Sequence, residues 1–412
     1  MQSSNAVTAT VLPMQAHPPI HPALREVVER LAQIERGPGS QGEAAAADWL
    51  SERLKQAGCE VEVEPAQFYD GYMQPIGTLT GVAALGGLLA LRRRGRLLGG
   101  LAAAAAALLI ADDVANSWRA FRKLSKPKST QNVVAIAGDH NAERTLVLLA
   151  HHDAAHTGRI FDDRLQNWLE LTYPGILERF DTSVPLWWLV LAGPAAIALG
   201  AARKRKSLVT LGVVGSTLAT AAMVDIANSP IVPGANDNLT AVAILVALAE
   251  RLRAQPIEGL RVMLVSCGAE EVVQGGIYSF AERHFPELDR EKTWFLGLET
   301  LGSPLLAMVE GEGPVVMEDY PDIRFRDLVA RVAGERGLPL RRGMRSRNST
   351  DATIPAHAGY PTATLVSLNR AKALSNYHQM SDTPENVNYG TVTQALHLSE
   401  AIVHTLADNL WL

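Results

Sequence analysis

Five places in the sequence put metal-ligating or proton-transferring side chains just after apolar segments or in loops. They are Ala150-His151-His152-Asp153, Gly234-Ala235-Asn236-Asp237-Asn238, Gly268-Ala269-Glu270-Glu271, Gly297-Leu298-Glu299 and Tyr377-His378 ahead of Ser381-Asp382-Thr383-Pro384. Two imidazoles and three carboxylates can hold two divalent ions, and nitrogen and oxygen donors suit zinc while admitting cobalt or manganese. Two Zn²⁺ would be balanced by three carboxylates and a hydroxide. Taken singly, each segment is weak. A His-x-Asp is usually a surface or capping feature, Glu-Glu after a strand is usually solvated, and Asn-Asp-Asn before a helix is a good N-cap run. Their order and spacing together are far more specific.

Such residues converge only if the elements before them are positioned for it. Thr145–Ala150 (TLVLLA) and Leu260–Ser266 are apolar runs typical of strands covered on both faces. Asn132–Ala137, Trp294–Leu298 and Thr362–Ser367 also read as strands, and Cys59–Val63 alternates like one. Helices are expected over Ala23–Ala32, Glu43–Ala57, Asn238–Arg253, Ile323–Gly337 and Thr391–Leu406. Strands alternating with helices predict an α/β fold: a mixed, mainly parallel central sheet flanked by helices. In such sheets ligands bind beyond the carboxyl ends of the strands, where several of these motifs fall.

At this point the chain resembles the family-28 zinc metallopeptidases, the group of bacterial leucyl aminopeptidases, glutamate carboxypeptidase and glutaminyl cyclase. The family's His-x-Asp, Gly-Ala-x-Asp-Asn, Glu-Glu, Asp/Glu-x-x-Gly and Tyr-His…Asp-Thr segments appear in family order, over roughly 115–155 and 234–405. The resemblance implies a zinc exopeptidase-like, three-layer α/β/α domain with two Zn²⁺ per chain. It implies that Asp237 bridges the ions, that His151 and Glu299 complete one ligand set, and that Glu271 and His378 complete the other. It implies catalytic roles for Glu270, as general base, and for Asp153, which would accept from the other imidazole nitrogen of His151 and fix its tautomer. Water bridging the metals would attack the peptide carbonyl after giving its proton to Glu270. Neighbouring Glu270 and Glu271 are expected to point opposite ways, as consecutive residues near a strand end do. The implied activity is a metallopeptidase, foremost an aminopeptidase. Glutaminyl cyclase or carboxypeptidase action on the same scaffold, or a non-catalytic membrane receptor, are the alternatives.

The chain departs from the family pattern in places. Leu239-Thr240-Ala241 stands where many members carry Ala-Ser-Gly, Ser349-Thr350-Asp351-Ala352 where a Ser-Asp-His stretch is usual, and Glu299 where many have Asp. These changes bear on substrate preference more than on catalysis. His152, His156 and His357 lie near the motifs but read as hydrogen-bonded or exposed side chains, and Cys267 reads as packing. Asn238-Leu239-Thr240 and Asn348-Ser349-Thr350 match the glycosylation acceptor pattern, the first inside the metal loop. Arg341, Arg342, Arg345 and Arg347 read as a solvated basic loop, or else as a recognition site for a substrate carboxylate.

Composition bounds the rest. The 412 residues carry 38 basic and 43 acidic side chains, a balance that excludes a general nucleic-acid binder. Two distant cysteines, Cys59 and Cys267, exclude a disulfide scaffold and a cysteine-based zinc ribbon. A hydrophobic content of 47% excludes a largely disordered chain. That average hides four apolar blocks without a charge: Ile76–Leu91, Leu97–Ala111, Val184–Gly200 and Ser207–Val224. They form two helical hairpins with basic tips, Arg92–Arg96 and Arg203–Lys206. At roughly 15 to 18 residues each they are slightly short for a bilayer, yet none shows the polar stripe of a soluble core helix. Four membrane-spanning helices are expected, making this a multi-pass protein of the plasma membrane. Both tips would then face the cytoplasm, leaving the peptidase domain on the extracytoplasmic side, although MQSSNAVTATVLPMQAHPPI lacks the basic start and apolar core of a signal peptide. The expected organisation is a loose tail over 1–20 and one domain over 21–412, interrupted at 70–113 and 157–233. Its partners would be a peptide or protein substrate and the lipid bilayer.

Overall fold

The computed structural model describes residues 19–69, 71–164, 168, 171–173, 182–183, 185–370 and 372–408. Most of the expected tail, at 1–18, and the first residue of the third apolar block, Val184, lie outside them. Nine strands form one sheet: β1 (Glu60–Tyr69), β2 (Pro127–Gly138), β3 (Thr145–His151), β4 (Arg261–Cys267), β5 (Thr293–Glu299), β6 (Leu305–Glu312), β7 (Glu318–Asp319), β8 (Arg341–Ser346) and β9 (Thr362–Leu368). The spatial order is β1-β2-β4-β3-β5-β9-β6-β7, with β8 also paired to β6. The centre, β4-β3-β5-β9, is parallel, and antiparallel strands flank it at β2 and β6. This is the mixed, mainly parallel sheet expected.

The helices are α1 (Pro22–Leu31), α2 (Gln41–Gln56), α3 (Met73–Ala90), α4 (Arg96–Val114), α5 (Leu186–Ala202), α6 (Lys206–Ala227), α7 (Thr240–Ala254), α8 (Gly276–His284), α9 (Ile323–Glu335), α10 (Thr353–His357) and α11 (Tyr389–Ala407). Every residue of β3 is buried. Successive side chains leave opposite faces of a strand. Leu146, Leu148 and Ala150 therefore enter the core formed with α1, α2, α7 and α11, while Val147 and Leu149 meet Ile277 and Phe280 of α8 on the other side. Helices on both faces produce the three layers.

The two apolar hairpins, α3–α4 and α5–α6, pack on each other as a four-helix bundle with its own core. Thr80 of α3 and Thr220 of α6 share a hydrogen bond of 2.8 Å between the hairpins. Small residues make the closest helix contacts in that core, alongside buried Ile76, Leu79, Ile110, Ile197 and Met223. A Cβ on Gly99 would lie 2.0 Å from the Gly86 carbonyl oxygen, and one on Gly212 would lie 2.6 Å from that of Gly193. Many leucines lie on the outside: Leu85, Leu97, Leu101, Leu108, Leu189, Leu211 and Leu218 are all exposed. Close glycine contacts inside and exposed leucines outside resemble helix packing in lipid.

Among the described residues, three helices, α3, α4 and α6, are long and apolar enough to cross a membrane; α5, with 17 residues, is a shorter apolar helix. The expectation of four such spans is corrected to that extent. Nor does α4 stop before Asp112 and Asp113, but runs on to Val114. It can do so because Asp113 is paired with Arg122, whose Nε lies 2.7 Å from Asp113 Oδ1, and Asp112 accepts from the backbone nitrogens of Trp118 and Ala120.

Candidate metal centre

β4, β3 and β5 are parallel neighbours, so their carboxyl ends lie side by side. His151 is the last residue of β3, Glu299 the last of β5, and Glu270 and Glu271 follow β4 in a single turn at Glu270–Val272. Ala269 takes a left-handed conformation (φ 53°) to start that turn. The two glutamates do point to different neighbours, but the turn separates them, not strand alternation. Glu270 Oε1 accepts from Gln274 Nε2 at 2.9 Å, and Glu271 Oε2 lies 3.0 Å from His378 Nε2.

Asp237 arrives from the segment Ala235–Leu239 ahead of α7. The helix expected from Asn238 begins only at Thr240, because Asp237 and Asn238 are non-helical. Neither asparagine acts as an N-cap here. Asn238 donates through Nδ2 to Leu298 O at 2.9 Å and accepts from Thr300 N at 2.9 Å, locking the segment to the end of β5. Asn236 Nδ2 donates to Ser375 O at 3.0 Å, tying it to the loop that carries His378. The buried Asn238 amide has no room for a glycan.

Ligand-type atoms from His151, Asp237 and Glu299 lie within 4.8 Å of one another, as do those from Asp237, Glu271 and His378. The two triads share Asp237: Oδ1 is 3.4 Å from His151 Nε2 and Oδ2 is 3.5 Å from His378 Nε2. All five residues are buried or nearly so. Glu271 Oε1 and His378 Nδ1 have no hydrogen-bond partner although they are shielded from water. Buried polar atoms are normally satisfied. Orphaned atoms in a nitrogen–oxygen donor set fit divalent cations, zinc among them.

The electrostatics point the same way. Burial pushes Glu271 up to about 7, and it holds Glu270 and Glu299 above the usual carboxylate range. Burial disfavours the His378 imidazolium, but the Glu271 carboxylate outweighs it and lifts His378 to about 10. Burial also opposes ionisation of Asp237, yet the His151 and His378 imidazoles drive it below the ordinary aspartate range.

Asp153 is fully buried beside the cluster. Its Oδ1 is 3.3 Å from His151 Nδ1, and its two oxygens accept from Glu270 N and Glu271 N at 3.1 and 3.0 Å. It therefore touches both His151 and the glutamate turn. Three further residues build the rest. Asp382, from the Ser-Asp-Thr-Pro segment, accepts from Asn236 N and Asp237 N at 2.8 and 3.1 Å. Glu43 Oε1 accepts from Ala269 N at 2.7 Å. Arg36, fully buried, donates to the carbonyls of His152, Pro233 and Gly234. Asp351 is also buried at the site, both oxygens unpartnered, and burial pushes it up to about 8.

The bundle reaches the site directly. Arg122, fixed by Asp113 at the end of α4, donates to Val272 O, and Arg119 donates to Val273 O at 3.0 Å. Asn116 Nδ2 donates to Gln274 Oε1 at 2.7 Å. The segment after α4 thus clamps the turn that carries Glu270 and Glu271. From the second insertion, the Phe161 ring packs on His378 with centroids 4.6 Å apart.

The residues set aside behave differently from the cluster. His152 Nδ1 meets Ser266 Oγ at 3.0 Å, His156 Nδ1 meets Ser229 O at 2.7 Å, and His357 is exposed. Cys267 is buried in the core beneath the sheet. The arginine run is not a solvated loop but contains strand β8. Arg342 pairs with Glu310 and Asp327, Arg345 pairs with Asp319 at 2.6 Å, and Arg347 lies over the Trp188 ring.

Fold and site together define a zinc-exopeptidase type of α/β/α domain, as comparison with solved structures bears out. The zinc aminopeptidase BSAP from Bacillus subtilis superposes with a TM-score of 0.53 at 13% identity, covering 93% of this chain and 94% of that one. A glutaminyl cyclase from Bacteroides thetaiotaomicron gives 0.55 at 10% identity, covering 94% and 99%. An aminopeptidase from Aneurinibacillus sp. strain AM-1 gives 0.52 at 14% identity, covering 93% of each. No curated protein matches the sequence. The family-28 resemblance is borne out by residues 217–403, which match the model of peptidase family M28. That stretch contains Asp237, Glu270, Glu271, Glu299 and His378 but not His151, whose place in the cluster rests on geometry.

Proposed function

We propose that this chain is a membrane-embedded dizinc aminopeptidase. The observation that carries the reading is the pair of triads sharing Asp237 with Glu270 beside them. His151, Asp237 and Glu299 would hold one ion, and Asp237, Glu271 and His378 the other. The chemistry zinc supplies when bound is Lewis acidity, which polarises a peptide carbonyl and acidifies water.

The protein groups divide the remaining work. Glu270 keeps one oxygen tied to Gln274, while Oε2 faces the cluster 3.9 Å from His151 Nε2. From there Glu270 takes a proton from the attacking water and passes it to the leaving amine. Asp153 orients the His151 ring and braces the backbone of the glutamate turn. Release from the amino end is favoured over the carboxyl end by charge. Glu270 and Glu312 line the site and belong to neither triad, which suits a free α-ammonium, whereas Arg342 and Arg345 are engaged with Glu310 and Asp319. The bundle's close glycine contacts and exposed leucines support insertion in the bilayer, with the basic tips in the cytoplasm and the peptidase domain outside.

The test is digestion of a peptide mixture by the purified full chain with and without chelator, read by mass spectrometry. Loss of single amino-terminal residues is expected. Carboxyl-terminal loss, internal cuts or pyroglutamate formation would each reject the aminopeptidase reading. Glu270→Gln should retain zinc while losing at least about 10²-fold in rate; a fully active variant would refute the assignment.

A further inference from the structure

A cavity of about 100 Å³ opens beside Glu270, Glu271 and His378. Its opposite wall is made by the bundle. Tyr72 precedes α3, Val114 ends α4, Trp187 and Val190 belong to α5, and Met223 and Ile226 to α6. Three of the apolar helices and the residue before the fourth thus contribute, and their side of the cavity carries no charge. The Tyr72 and Trp187 rings meet edge to face at 5.5 Å, and Val114, Val190, Met223 and Ile226 are buried. Water activation and proton transfer make no use of this wall. A simple anchor would not need to touch the catalytic carboxylates at all.

The position of the wall along the bundle is informative. Trp187 and Trp188 lie in the first turn of α5, and Trp118 lies just beyond α4, 82% exposed. Tryptophans gather at membrane–water interfaces. The basic tips Arg92–Arg96 and Arg203–Lys206 mark the far end of the same helices. The cavity therefore lies level with the bilayer interface on the domain side. A second cavity of about 220 Å³ adjoins it, sharing Phe161, Leu186 and His378, and extends into the peptidase domain, where Met344, Val366, Leu368 and Leu374 add apolar lining. A peptide laid along the cluster meets two adjoining apolar recesses, the first walled by the bundle.

We propose that the bundle-walled cavity is a substrate subsite. It receives an apolar residue flanking the scissile bond of a membrane-associated peptide, which enters from the bilayer interface. The proposal rests on the peptidase reading above. It makes the bundle part of the specificity apparatus and selects substrates that partition into the interface.

The test uses the zinc-loaded full chain in lipid nanodiscs. Glu270→Gln protein is mixed with an amphipathic peptide carrying photo-leucine at residue 1, or in a second arm at residue 2. It is then irradiated and mapped by mass spectrometry. Crosslinks to Tyr72, Trp187, Met223 or Ile226 in either arm are expected. Crosslinks confined to the second cavity, at Leu368 or Leu374, or none at all, would overturn the proposal. In parallel, Val190→Phe narrows the cavity and Trp187→Ala widens it. The kcat/KM ratio for peptides with leucine over alanine at the crosslinked position should fall about 10-fold in the first, the low end for a lost apolar fit, and change in the second. An unchanged ratio in both variants counts against the subsite. Wild-type protein that cleaves no peptide refutes the peptidase reading itself, whereas cleavage with crosslinks outside the bundle refutes only the subsite.

Discussion

The buried pair Asp113–Arg122 joins the end of an apolar helix to the turn that presents Glu270 and Glu271, and its removal should be felt in both places. The two side chains are 2% and 0% exposed. Arg122 spends two nitrogens on the carboxylate and a third on Val272 O. Asp113→Ala deletes two charge-assisted bonds and leaves a guanidinium enclosed with one carbonyl. Breaking a buried pair in this way costs about 3–5 kcal/mol, most of it the penalty for the stranded charge. The double variant Asp113→Leu with Arg122→Met removes both charges and should recover much of that loss. Its turn would still lack the Val272 anchor. Since displacement of a catalytic group by about 1 Å can cost about 10² in rate, kcat should stay depressed in the double variant while stability returns. Denaturant titration in detergent gives the first quantity and peptide hydrolysis the second. A single variant losing less than about 1 kcal/mol, or a double variant with normal kcat, would refute the coupling of helix end to catalytic turn.

Three further outcomes are expected. Asp153→Asn puts an amide group against the backbone donors of Glu270 and Glu271 and weakens the orientation of His151; zinc affinity by competition titration should fall about 10- to 100-fold. Gly99→Leu forces a side chain into the space of the Gly86 carbonyl, and overpacking of this kind costs about 1–3 kcal/mol, seen as a lower unfolding midpoint, whereas Leu97→Ala on the exposed face should leave the midpoint nearly unchanged. Chelation should destabilise the whole chain: free zinc at 1,000 times its dissociation constant stabilises by about 4 kcal/mol, so calorimetry with and without chelator should show a clear downward shift, and an unchanged transition would argue against a metal centre.

Much of the cluster was legible because its residues sit at the ends of strands with unmistakable apolar runs. TLVLLA delivers His151, and VMLVSC leads to Glu270. The supporting residues were not legible for an equally physical reason. Arg36 and Glu43 are single polar side chains whose importance comes from burial against distant backbone, which no local pattern encodes. Strand β8, RRGMRS, lacks apolar alternation and so carries no strand signal in sequence; its cations are held by Glu310, Asp319 and Asp327 from other elements. The apolar blocks were plain from composition, but their mutual packing was not, since it depends on which glycines face each other. The helical start at Asn238 failed where the asparagines serve the site instead of the helix.

The interlocking of the two hairpins also dictates an order of events during synthesis. The first hairpin leaves the ribosome ahead of β2 and β3, the second only after His151 has been made. Until the second arrives, the glycine-lined face of the first has no mate. The turn bearing Glu270 and Glu271, made later still, settles against Arg119 and Arg122 only once both hairpins and β4 exist. By chain order alone, both hairpins are made before Glu270, Glu271, Glu299 and His378 of the cluster.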